Sequence, residues 1–85
     1  MDTVEKSIPW MADRTVAEVM SRAYKAARDS GCAVEIKKEP SSTLTSIYLV
    51  REDGSMFLYR RFNTRLTGTE LSACVEQAEK RFLGV

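Results

Sequence analysis

The sequence predicts an α+β fold: a two-layer sandwich in which both helices lie on one face of a three-stranded antiparallel sheet. Three observations predict it. Two segments near the ends of the chain, about residues 16–29 and the final stretch "LTGTELSACVEQAEKRFLGV", repeat apolar residues at the three-four spacing of an amphipathic helix. Between them lie three short runs that alternate or are rich in β-branched and aromatic residues. The connections are short, which favours antiparallel pairing of neighbours in order. Two amphipathic helices then need a shared apolar surface, and one face of the sheet supplies it.

Residues 1–12 read as an N-terminal arm, and 13–85 as a single α+β domain. Pro9 blocks regular pairing, and Ile8, Trp10 and Met11 are apolar. Trp10 can fold back over one end of the core or dock on a partner. A small core gains much from one indole, which favours the first.

The first helix spans about residues 16–29. Thr15 and Glu18 fit a capping box. Val16, Val19, Met20, Ala23, Tyr24 and Ala27 form its apolar face, and Glu18 with Arg22 has the spacing of an i,i+4 ion pair. Gly31 suits a left-handed C-terminal stop. "CAVEIKK" alternates Cys32, Val34 and Ile36 against Ala33, Glu35 and Lys37, the pattern of a half-buried strand. "KEPSST" breaks that pattern and reads as a loop. "LTSIYLVRED" and "SMFLYRRF" are strand-like runs around Asp53-Gly54, a favoured pair for a two-residue type I′ turn. In the last helix Thr67 or Thr69 can cap, and Thr67 with Glu70 fits a second capping box. Leu71, Cys74, Val75, Ala78 and Phe82 share one face, and Gly84 is a plausible terminator.

A two-residue turn fixes the hairpin register. Val50 then faces Phe57, Leu49 faces Leu58, Tyr48 faces Tyr59 and Ile47 faces Arg60. Alternation yields two sets. Ile47, Leu49, Met56, Leu58 and Phe62 are expected under the helices, with Arg51 and Arg60 at the margins. Tyr48, Val50, Phe57, Tyr59 and Arg61 are expected on the open face. A one-residue slip exchanges the sets. In either case one face of the sheet displays large apolar groups unless a partner covers it.

Composition restricts the chemistry. The chain has 85 residues, 44% hydrophobic and 29% charged, which suits one small globular domain. Thirteen basic and twelve acidic residues leave a net charge of +1, so no strong polyanion partner is written into the global charge. Histidine is absent, which removes the commonest general base and neutral metal ligand. Two cysteines, Cys32 and Cys74, are too few for a structural zinc site and read as buried free thiols. No phosphate-binding glycine loop or metal-ligand cluster is present. The expectation is therefore a non-enzyme with no cofactor and no metal. The N-terminus lacks the basic start and apolar run of a secretory signal, and no stretch reaches the roughly 20 apolar residues of a membrane span. A cytoplasmic protein without a membrane partner is expected.

Two local likenesses bear on nucleic acid. The helix-strand-strand-strand-helix order resembles the double-stranded-RNA-binding domain, which implies an RNA partner. That family places a lysine-rich motif at the start of its second helix, where this chain has "TGTELS". No functional residue carries over. The hairpin "IYLVREDGSMFLYR" resembles the aromatic-rich hairpin of the arm-binding domains of phage-type integrases. That family sets its helix after all three strands and has none before them. From the residues themselves, Tyr48, Phe57 and Tyr59 could stack bases, and Arg60, Arg61 and Arg65 could contact phosphates.

The leading expectation is a small protein-interaction module: a regulator, adaptor or inhibitor of the kind common on phages and mobile elements. It would bind a protein partner, or itself as a homodimer, through the open aromatic face. The residues expected to contact the partner are Tyr48, Phe57, Tyr59, Arg60, Arg61, Arg65 and Trp10, because Tyr, Trp and Arg are frequent interface anchors. The alternative is a nucleic-acid-binding domain that uses the 46–65 hairpin.

Overall fold

A computed structural model of the protein describes residues 8–84; residues 1–7 of the expected arm and residue 85 lie outside it. The element order is α1 (Asp13–Ser30), β1 (Ala33–Lys38), β2 (Leu44–Val50), β3 (Met56–Asn63) and α2 (Gly68–Leu83). The strands form one antiparallel sheet in the order β1-β2-β3. The expected α+β architecture is therefore present.

One apolar cluster joins both helices to the sheet. Val16, Val19, Met20, Ala23 and Tyr24 of α1 and Leu71 and Ala78 of α2 are buried with Ile47 of β2 and Phe62 of β3. Val34, Ile36, Cys74, Val75 and Phe82 pack around them. Both helices thus cover the same face of the sheet, and among the described residues the other face is left uncovered. Phe62, Met20 and Ile47 are among the largest fully buried side chains. Each contributes about 1.5–3 kcal/mol of transfer free energy.

The helix ends show which local signals operate. In α1 the chain closes in a Schellman arrangement: Gly31 has φ 71°, its N–H donates to Arg28 O, and Cys32 N–H donates to Ala27 O at 2.8 Å. In α2 the Thr67 side chain accepts from Glu70 N–H while the Glu70 carboxylate accepts from Thr67 N–H, completing the predicted box. At the start of α1 the sequence expectation fails. The N-cap is Ala12, without a side-chain cap, and Thr15 is already helical. The cause is the arm. Asn63 N–H donates to Pro9 O, and Met11 N–H donates to Asn63 O, both at 2.8 Å. That pairing anchors the chain at residue 11, and the helix begins two residues later. Glu18 and Arg22 form no ion pair; Lys25 instead pairs with Asp29 at 3.1 Å.

The hairpin turn also differs from expectation. Gly54 N–H donates to Arg51 O at 2.9 Å, and Arg51 N–H donates to Ser55 O at 2.8 Å, which encloses a three-residue loop, Glu52-Asp53-Gly54. A type I′ turn needs positive φ at two successive residues. Only Gly54, at φ 90°, has it here; among the described residues no non-glycine does. The Asp53 carboxylate instead accepts from Ser55 N–H and from the Ser55 hydroxyl. Those hydrogen bonds hold its carboxyl below the usual range.

The longer loop moves the nearby pairs by one residue. Val50 faces Met56, Leu49 faces Phe57 and Tyr48 faces Leu58. A bulge then restores the expected register, so that Ile47 faces Arg60, Ser46 faces Arg61 and Thr45 faces Phe62. Tyr59 is the extra residue.

Candidate functional site

The uncovered face of the sheet is assembled from side chains that share it by register. β1 contributes Ala33, Glu35 and Lys37; β2 contributes Ser46, Tyr48 and Val50; β3 contributes Met56, Leu58 and Arg61. The half nearest the hairpin is apolar: Val50 beside Met56 and Tyr48 beside Leu58. Met56 is 39% exposed and Leu58 44% exposed. The other half is polar. The Arg61 Nε donates to Ser46 Oγ at 3.0 Å, and Ser46 is buried. The Lys37 ammonium lies 5.5 Å from the centre of the Tyr48 ring and 3.9 Å from Glu35.

The sequence-predicted site residues do not form one surface. Tyr48 and Arg61 stand on the uncovered face as expected. Phe57 and Tyr59 do not, and Met56 and Leu58 are not in the core. The three-residue loop exchanges these two pairs. Phe57, opposite buried Leu49, turns to the helix side at the hairpin end, where the Arg51 guanidinium lies 4.6 Å from its ring. Tyr59 packs against the core at the bulge. Arg60 shares the helix side with Ile47 and is exposed at the margin. Arg65 follows β3, and its guanidinium lies 5.3 Å from the Trp10 ring.

Trp10 is 52% exposed, so it does not roof the core; Met11 is the buried residue of this segment. Trp10 is held by a parallel bridge to Asn63, beyond the end of the apolar strip. Met56 and Leu58 are the surface residues that sequence reasoning missed. The signal for them was the glycine as third residue of "EDG", since a three-residue hairpin loop closes with glycine in a left-handed conformation.

Other groups bear on chemistry. Cys32 and Cys74 are unbridged and half-buried rather than buried. Burial, followed by the Asp13 and Glu70 carboxylates, pushes the Cys74 thiol up. Among the described residues no cluster of three or more histidine, cysteine or acidic side chains could hold a metal ion. Among them also, no helix is long and apolar enough to cross a membrane. The start of α2, where the RNA-binding likeness calls for lysines, holds Thr67, Gly68, Thr69 and Glu70.

No family model, curated protein or solved structure matches the chain.

Proposed function

We propose that this chain is a non-catalytic, cytoplasmic protein-interaction module that binds a protein partner through the uncovered face of its sheet. One observation carries the reading: Tyr48, Val50, Met56 and Leu58 form a contiguous apolar strip on a face that neither helix covers. Strips of this kind mark interaction sites in small domains. Arg61 and Lys37 border the strip and give it a polar rim, the usual arrangement of a binding patch.

The composition of the strip favours protein over nucleic acid. Met56, Leu58 and Val50 are aliphatic, and Tyr48 is the only ring among them, so successive bases find no stacking platform. Arg60, Arg61 and Arg65 stand in three different places rather than along one backbone track.

The test is the pair Leu58→Arg with Met56→Asp, whose fold is checked by circular dichroism. Wild type is run in sedimentation equilibrium for self-association and as bait for partners from its host. Loss of self-association, or of a purified partner, in a folded variant supports the reading. Undiminished binding by the folded variant sinks it. Salt-sensitive binding to an oligonucleotide by wild type, lost with Arg61→Ala and retained by the pair, transfers the function to nucleic acid.

A further inference from the structure

A second surface lies on the opposite side of the molecule and shares no residue with the uncovered sheet face. A groove runs between α1 and α2, lined by Arg14, Ala17, Glu18, Ser21, Arg22 and Lys25 of α1 and by Gln77, Arg81 and Phe82 of α2. The apolar face of α1 points into the core, so these residues look outward.

Four cations and one carboxylate line this groove, a local surplus of three charges, whereas the whole chain has a surplus of one. Lys25 shares its charge with Asp29. Among the described residues Arg14, Arg22 and Arg81 join no ion pair with each other's neighbours, and Glu18 pairs with none of them. Phe82 closes one end, with the Arg81 and Arg28 guanidinium groups 5.3 and 5.5 Å from its ring.

The spacing narrows the kind of partner. Arg14, Glu18, Arg22 and Lys25 follow one stripe of α1 at steps of four, four and three. The stripe is about 16 Å long at 1.5 Å per residue. Ala17 and Ser21, one turn apart, leave a low floor beside it on which another backbone can come close. A helix laid along the groove has the same period. It can present carboxylates to Arg14, Arg22 and Lys25 and a neutral or basic residue to Glu18. A nucleic-acid backbone carries uniform negative charge and cannot skip Glu18 in this way.

We propose that this groove receives an acidic amphipathic helix from a protein partner, about three turns long, with Glu18 setting its register. The probe is a designed helical peptide with Glu at i, i+8 and i+11 and Lys at i+4. The control has the same composition with those residues scattered around the helix. Binding is measured by fluorescence anisotropy against full-length protein. The matched peptide should bind at least about tenfold more tightly than the control and weaken with added salt. Arg22→Glu should abolish binding of the matched peptide, and a peptide with Lys in place of Glu at i+8 alone should restore it. Leu58→Arg should leave the peptide affinity unchanged, which separates this groove from the sheet face. Failure of the matched peptide to bind, equal binding of matched and control peptides, or tighter binding of a thymidine oligonucleotide overturns the proposal.

Discussion

Tyr48 pairs across the sheet with Leu58, and the next residue along β3, Tyr59, has no partner of its own. This relationship decides which side chain is structural and which is available to a partner. Tyr59 packs against the core, whereas Leu58 is 44% exposed on the uncovered face. Tyr59→Ala is therefore expected to destabilise the fold by about 1–3 kcal/mol, below the cost of a fully buried ring. Leu58→Ser is expected to stay within about 0.5 kcal/mol of wild type, as surface changes do. Urea unfolding of the two variants checks the contrast; equal losses would contradict the face assignment.

Gly54 sets this pairing. It sits at φ 90°, and a Cβ built there meets no atom within 4 Å. The cost of Gly54→Ala is therefore conformational rather than steric crowding by neighbours, roughly 1–2 kcal/mol for an L-residue in the left-handed region. Chemical denaturation should show a lower midpoint with an unchanged slope. The amide shifts should change most in residues 50–58 and little at Phe62, which lies beyond the bulge.

The helices and the sheet order were legible because each rests on a local signal that tertiary packing reinforces. Val16 to Ala27 and Leu71 to Phe82 carry a clear helical period, and Thr67, Glu70 and Gly31 act as expected. The faces of β3 were legible only beyond the bulge. "REDGSM" accommodates a two- or a three-residue loop, and strand propensity cannot separate them. The choice is made by Asp53, whose carboxylate holds Ser55 while Gly54 alone takes positive φ. One extra loop residue exchanged Met56 and Leu58 with Phe57 and Tyr59. The start of α1 was misplaced for a different reason. The Thr15–Glu18 pattern is a valid box, but Met11 N–H bonding to Asn63 O brings the chain into the helix earlier. That contact spans the sequence and no local pattern announces it.

Thr45 carries an avoidable penalty. It is fully buried opposite Phe62, and among the described residues its Oγ1 has no hydrogen-bond partner. An orphaned buried hydroxyl costs about 1–3 kcal/mol. Thr45→Val removes the hydroxyl while keeping the branched shape, and a gain of about 1 kcal/mol or more is expected from that term. Thr45→Ser keeps the hydroxyl and loses the methyl, so it should destabilise. Thermal and urea unfolding of both variants test the opposite signs. A loss with valine would show that the hydroxyl is satisfied in solution.

Tyr24 should give the fold an alkaline limit. Its side chain is buried, and burial, followed by the Glu79 carboxylate, raises its pKa above the ordinary 10.0. The folded state therefore keeps its proton over a range in which the unfolded state has lost it. Where the native state binds more protons, stability falls as pH rises. The contribution is fully present below the unfolded pKa near 10 and declines above it until the folded group ionises. Cys74 titrates with the same sign from its ordinary 9.0, so the comparison should be between wild type and Tyr24→Phe, which both retain it. The stability difference between the two should be flat from pH 7 to 9. Above about pH 10 the wild type should lose stability relative to the phenylalanine variant. Glu79→Gln should reduce the slope without removing it, because burial is the larger cause. Parallel urea midpoints for wild type and Tyr24→Phe up to pH 11 would mean that the phenol reaches solvent and that the α1–α2 contact is looser than its burial indicates.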